Sequence, residues 1–269
     1  MTTTLKPTIL LASAGSLDDS AAIAWLTERH GADVATLTLD VGQGRDPEHV
    51  RARALACGAV RAHVVDVREE FARDCALPWL QAGALDPTAF ASLVYPLIAR
   101  RLVEVARTER AAAVAHGAAH TGIDMAVAAT DASLVVLAPT RERLDAGIDA
   151  LDYARARGLM IPPAPERARA VDPHLLRRFT AAPVSASETA AHLEIAFENG
   201  VPRAVNGVTL PLTELFESLS VIAGQHGVGR IGDIDAPAAP VLHRALSVIG
   251  RSSGVVRLTL HKGESLVTA

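Results

Sequence analysis

Thr8-Ile-Leu-Leu-Ala-Ser-Ala-Gly-Ser-Leu-Asp-Asp-Ser20 is an apolar run that meets a single glycine and turns into a polar, acidic segment. Residues 8–14 are too few for a helix and apolar without alternation, which reads as a strand buried on both faces. Gly15 ends the run, and Asp18, Asp19 or Ser20 can cap the helix read at 21–30, whose apolar residues share one face. A strand that ends in a glycine turn at a helix N-terminus offers backbone N–H groups without helical partners, an arrangement suited to an anion. Taken alone, the loop reads equally well as an ordinary βα turn with acidic caps. No Gly-Lys-Ser/Thr follows it, and it lacks the three glycines of a dinucleotide fingerprint.

Outward from this loop the same alternation repeats. Strands are read at 33–39, 61–66, 111–115 and 134–137, and helices at 47–57, 68–81, 90–108 and 143–157. Strands separated by helices of ten or more residues imply right-handed crossovers and a mostly parallel sheet. Ligands of such sheets bind beyond the carboxyl ends of the strands. The polar, glycine-bearing loops at 15–20, 40–44 and 116–124 would then share one rim.

Three prolines, Pro162, Pro163 and Pro165, followed by an Arg/Ala-rich stretch, mark a domain boundary. The expected division is 1–165 and 166–269. In the second part a hairpin is read at 192–210, with turns at Asn199-Gly200 and Asn206-Gly207, a helix at 212–223, a glycine-rich loop at 224–229 and a final hairpin at 255–268. The fold class expected is α/β: a parallel-sheet domain with a second, smaller α+β domain.

Of the 269 residues, 49% are hydrophobic and only 3% aromatic, so the core must be built from Ala, Val, Leu and Ile. The net charge of −4 leaves no basic footprint for nucleic acid. No stretch approaches the ~18 apolar residues of a membrane span. Cys57 and Cys75 lack metal-ligand spacing and read as thiols in a reducing compartment. The first residues lack the basic and apolar segments of a signal peptide. A cytoplasmic protein is expected, without nucleic acid, membrane or metal site.

The order of short motifs narrows the reading. Leu11-Ala-Ser-Ala-Gly-Ser-Leu-Asp-Asp-Ser20, Asp40-Val-Gly-Gln-Gly44, Cys57-Gly-Ala-Val60, Val65-Asp-Val-Arg-Glu-Glu-Phe71, Tyr95-Pro-Leu-Ile-Ala99, Ala115-His-Gly-Ala118 and Leu137-Ala-Pro-Thr-Arg141 occur in succession. Phe197-Glu-Asn-Gly-Val-Pro202 and Ile222-Ala-Gly-Gln-His-Gly-Val-Gly-Arg-Ile231 follow. In this order they resemble the argininosuccinate synthases, of the ATP pyrophosphatase group, over nearly the whole chain.

The resemblance implies a Rossmann-like (HUP-type) nucleotide-binding domain and an ATP-dependent ligation. A citrulline-like substrate attacks the α-phosphate of ATP, pyrophosphate leaves, and an amine such as that of aspartate displaces AMP. ATP and magnesium are the implied cofactors, and amino acids the small-molecule partners. The positions implied for ATP are Ala12, Ser13, Gly15, Asp18, Ser20, Leu39 and Gly117; those for substrate are Ser92 and Asp124. No catalytic residue is assigned. The family is usually tetrameric, but the tail that wraps neighbouring subunits is missing here, which leaves a homo-oligomer open.

Departures from the family pattern fall on chemical positions. The family's Ser-Gly-Gly-Leu-Asp-Thr-Ser is Ala14-Gly-Ser-Leu-Asp-Asp-Ser20 here. A hydroxyl donor is lost at Ala14, a side chain replaces glycine at Ser16, and Asp19 puts a carboxylate where phosphates should lie, unless magnesium takes it as a ligand. In the loop 117–127, Ala119 and Ile123 stand where the family has polar residues that hold aspartate, and Val127 where it has an arginine. Pro87 aligns with the citrulline tyrosine, and Tyr95 with another arginine. These losses carry a second reading, a non-catalytic paralogue that keeps the fold as a binding module. His116 and His226, beside glycines, read mainly as structural; His120 is new to the loop.

Overall fold

The computed structural model describes residues 6–42, 46–83, 87–118, 121–161, 189–231, 234–235 and 237–268, with backbone alone at 87–92, 230–231 and 234–235. The proline-rich boundary near 162 and the residues Gln43, Gly44, Ala119 and His120 lie outside them. The chain divides into two compact units. One is drawn from Met1–Asp40, Gly44–Val67 and Val94–Asp172, the other from Val41–Gln43, Arg68–Leu93 and Pro173–Ala269.

The first unit is built on five parallel strands, β1 (Thr8–Ala12), β2 (Asp33–Asp40), β3 (Arg61–Asp66), β4 (Ala113–His116) and β5 (Val135–Leu137), in the order β3-β2-β1-β4-β5. The central strand sorts its side chains by parity, as the strand period of two requires. Ile9 and Leu11 pack with Ala22, Ile23 and Leu26 of α1 (Leu17–His30) and Ala54 of α2 (Pro47–Ala56). Leu10 points to the other face, against Leu102, Val103 and Ala106 of α5 (Pro87–Glu109) and Ile123 and Val127 of α6 (Gly122–Thr130). Both faces are covered, which is why β1 reads as an unbroken apolar run. This is an α/β domain built on a parallel sheet, as the sequence led us to expect.

Two readings need correction. The helix after β1 begins at Leu17, four residues earlier than 21, because Ser16 is its N-cap. Residues 143–157 form not one helix but two, α7 (Pro139–Asp145) and α8 (Ala150–Ala156). Gly147 turns left-handed at φ +69°, and Asp149 caps the second helix by accepting from the N–H groups of Leu151 at 2.8 Å and Asp152 at 3.2 Å.

In the second unit, α3 (Arg68–Phe71), a π-helical turn (Ala72–Ala76) and α4 (Leu77–Ala82) follow one another along the stretch read as one helix. The strands are β6 (Ala191–Glu198), β7 (Val201–Val205), β8 (Val208–Thr209), the short pair β9 (Arg230–Ile231) and β10 (Ile234–Asp235), β11 (Gly254–His261) and β12 (Glu264–Thr268). The antiparallel sheet runs β12-β11-β6-β7-β8. Asn199-Gly200 and Asn206-Gly207 both have positive φ at each residue, the pair of conformations that a tight hairpin of the right twist demands. Leu193, Ile195 and Phe197 of β6 and Val256, Leu258 and Leu260 of β11 are buried, alternating with exposed neighbours.

Helices α9 (Leu212–Gln225) and α10 (Ala238–Ile249) pack on this sheet. The second of these was not read from the sequence, although Ala238, Val241, Leu242, Ala245 and Leu246 line one helical face ahead of Gly250.

Candidate functional site

The carboxyl ends of β2, β1 and β4 share one rim, because these three strands are neighbours; the turn at Gly15, Asp40 at the end of β2 and Gly117 after β4 lie on it. The chain reverses its direction of winding between β1 and β4, the place where open α/β sheets bind ligands. Ala12 ends β1, in register with Leu37 on one side and His116 on the other. Leu39, near the end of β2, is half-buried. Gly117 follows β4. Of the residues implied for substrate, Asp124 lies in the first turn of α6, whereas the side chain of Ser92 is outside the described residues.

The turn itself is held from several directions. The Ser13 N–H donates to the Leu37 carbonyl at 2.9 Å, and the Ser13 hydroxyl accepts from the Gly15 N–H at 3.1 Å. Gly15 has φ +73°, and a Cβ there would sit 3.0 Å from Val50 Cγ1, so both conformation and space select glycine. Its carbonyl accepts from the buried Arg53 Nη1 at 2.7 Å.

Asp18, Asp19 and Ser20 do different work from that expected of them as interchangeable caps. Ser16 and Asp19 form a capping box: the Ser16 hydroxyl accepts from the Asp19 N–H at 3.1 Å, and Asp19 Oδ2 accepts from the Ser16 N–H at 3.0 Å. Asp19 Oδ2 also accepts from the Ala14 N–H at 2.8 Å. Burial is the largest influence on this carboxyl and pushes its pKa up, against the hydrogen bonds from Ser16 and Ala14. The Ser20 hydroxyl donates to the Ser16 carbonyl at 3.1 Å. Asp18 leaves the helix end altogether and accepts from Arg143 Nη2 of α7 at 2.6 Å.

Asp124 is a second hub. Arg141, at the start of α7, grips it with both nitrogens: Nη1 to Oδ2 at 2.9 Å and Nη2 to Oδ1 at 2.5 Å. His116, wholly buried at the end of β4, lies 3.1 Å from Asp124 Oδ2 through Nε2. Its Nδ1 accepts from the Ala118 N–H at 3.2 Å, so the proton sits on Nε2 and is donated to Asp124. Burial pushes the Asp124 carboxyl up, but the hydrogen bonds and charge of Arg141, with the His116 N–H beside it, outweigh it and hold it below the ordinary carboxylate range.

Glycine at 117 has a separate cause. Its φ is not positive; instead a Cβ would meet Asp19 Oδ1 at 2.9 Å and Thr140 Oγ1 at 3.6 Å. Gly117→Ala should therefore destabilise the first unit by about 1–3 kcal/mol through overpacking. Thermal unfolding checks this, and an unchanged melting temperature would show that the carboxylate yields freely.

Arg53, Arg141 and Arg143 were not singled out as site residues by the sequence reading. Each lies on a helix where an arginine ordinarily faces water, so no local pattern marks it; only the tertiary fold gives it an acceptor. Ile123 and Val127, at positions where the family has polar residues, are wholly buried in the core under the sheet. Among the described residues no three His, Cys, Asp or Glu side chains converge as a metal site, and no helix is long and apolar enough to cross a membrane. Cys57 and Cys75 are buried. His226, in the second unit, lies with Nδ1 2.8 Å from the Thr189 carbonyl, so Nδ1 is the donor.

Comparison with known families adds an independent finding. The arginosuccinate synthase N-terminal HUP domain matches residues 8–160, and the arginosuccinate synthase C-terminal domain matches 166–238. The argininosuccinate synthase of Streptococcus thermophilus is 35% identical over 285 aligned positions, covering 96% of this chain and 70% of that protein. That of Symbiobacterium thermophilum is 39% identical, covering 86% and 65%; that of Geobacillus thermodenitrificans is 38% identical, covering 86% and 63%.

Proposed function

Because the chain belongs to the argininosuccinate synthase family, we propose that it is an ATP-dependent carbon–nitrogen ligase acting on a citrulline-like acceptor and an amine such as aspartate. ATP would supply the adenylyl group that activates the acceptor oxygen, pyrophosphate leaving in that step and AMP when the amine attacks. The observation that carries the reading is Asp124, fixed by Arg141 and His116 on the rim that also holds the glycine turn of β1. A carboxylate oriented in this way can accept hydrogen bonds from a ureido or amino group without first reorganising. Ile123 and Val127 are core residues and offer no polar group to the second substrate, so the amine acceptor would differ from aspartate in how its carboxylates are held.

The residues fit one end of ATP better than the other. Ala12, Leu39 and Gly117 are each half-buried at the strand ends and would offer the nucleoside an apolar edge. The loop does not fit the phosphates as it stands, since the Ala14 and Ser16 N–H groups already donate to Asp19. Magnesium would arrive on the nucleotide's own oxygens, as it usually does, without a protein cage.

Exchange of labelled pyrophosphate into ATP, run with citrulline and a panel of ureido and amide amino acids, should show acceptor-dependent incorporation. Absence of exchange across the panel, together with no rise in melting temperature at millimolar Mg-ATP, would sink the ligase reading. The second reading, a non-catalytic paralogue acting as a binding module, is favoured by the Asp19 arrangement; AMP release would count against it.

A further inference from the structure

A phosphate loop works by aiming free N–H groups at an anion. Here two of those groups, from Ala14 and Ser16, converge on a single oxygen of Asp19 at 2.8 and 3.0 Å. The carboxylate is 2% exposed, so it sits inside the turn and not above it. Its second oxygen faces Gly117 on the neighbouring strand end, 2.9 Å from where a Cβ would be. Thr140 Oγ1, buried and without a hydrogen-bond partner among the described residues, lies 3.6 Å from that same point. A buried hydroxyl left unmatched beside the occupied cradle is a donor that the carboxylate does not satisfy and an incoming phosphate oxygen could use.

We propose that Asp19 is a resident anion: its side chain takes the place of a phosphate in the loop and sets the affinity of this site for polyphosphate ligands. The inference rests on the reading of this rim as a nucleotide site. A phosphate entering the turn must either displace Asp19 from both N–H groups or lie beside its charge. A like charge about 5 Å away, at an effective dielectric of about 20, weakens binding by about a hundredfold. A nucleoside without phosphates meets no such opposition. Asp19 thus divides the ligand into a part the site accepts and a part it resists.

Titration of the full chain by calorimetry, with adenosine and with inorganic pyrophosphate as separate probes, tests this. Asp19→Ala empties the cradle and should tighten pyrophosphate binding by at least tenfold, approaching the hundredfold set by the charge, while adenosine binding stays unchanged. Asp19→Asn keeps an acceptor oxygen for Ala14 and Ser16 but removes the charge, so it should fall between wild type and Asp19→Ala. Asp19→Asn also retains the cap, and it carries the comparison if the alanine variant does not fold. Equal pyrophosphate affinity in all three proteins, with adenosine still bound, would overturn the role of Asp19 and leave the nucleotide site standing. No binding of either probe by any form would overturn both.

Discussion

Asp18→Ala should destabilise the parallel-sheet unit by about 2–4 kcal/mol, several times what an acidic residue in a first helical turn ordinarily contributes. The reason lies on the other partner. Arg143 is only 1% exposed, and among the described residues its one ionic contact is Asp18 at 2.6 Å; Nη1 has a long hydrogen bond to the Ile148 carbonyl at 3.3 Å, and Nε has no partner among them. Removing the carboxylate strands a guanidinium in the protein interior. The Asp18 side chain is itself 47% exposed, so water can reach the pair, and the effect falls toward the lower part of the range for a broken buried pair.

Arg143→Leu combined with Asp18→Ala should recover much of the loss, since a buried pair exchanged for apolar side chains is often neutral. Urea unfolding followed at Trp25, which stands on α1 in the same unit, reads the change. A single Asp18→Ala variant within about 0.5 kcal/mol of wild type would mean that Arg143 finds another partner, and that Asp18 is free to serve a ligand.

The second large effect is expected at Asp124. Asp124→Asn keeps size but removes the charge that Arg141 grips with two nitrogens and that His116 Nε2 approaches. On the ligase reading, kcat/KM for the acceptor should fall about a hundredfold, the scale of a lost charge-assisted hydrogen bond in a partly buried site. The same substitution should change stability in acid. The folded Asp124 carboxyl lies below its ordinary value, so its contribution is present above the unfolded pKa of about 4 and is lost as pH falls through the folded pKa. Denaturation of wild type and variant from neutral pH downward should therefore converge as the medium becomes acid. Parallel curves over that span would remove Asp124 from the list of residues that tie β4 to α7.

Most of the first unit was legible because its elements are decided by near neighbours. A continuous apolar run before a glycine is a strand whatever else the chain contains, and β3 was read at the bounds it has, Arg61–Asp66. Errors came where two local signals competed. Ser16 is as good a cap as Asp18 or Asp19, and only its extended φ and ψ with the reciprocal Asp19 bond decide for it. Arg143–Arg157 carries a helical pattern on both sides of Gly147, and the glycine's left-handed turn breaks it. Helix α10, absent from the sequence reading, carries a clear apolar stripe of Ala238, Val241, Leu242, Ala245 and Leu246.

The sequence by itself determined the five strands of the parallel sheet, the turns at Asn199-Gly200 and Asn206-Gly207, and the family resemblance. Each of these depends on residues a few positions apart. The tertiary structure alone decided how the acidic cluster after Gly15 is used. Asp18 meets a partner 125 residues away, Asp124 meets one 17 residues away on another helix, and Asp19 turns inward onto its own loop. Local propensity can place three polar side chains at one strand end, but it cannot say which of them faces water, a buried cation or two unsatisfied N–H groups. That depends on what the rest of the fold brings against them, and the strength of each interaction depends on the burial that only packing creates.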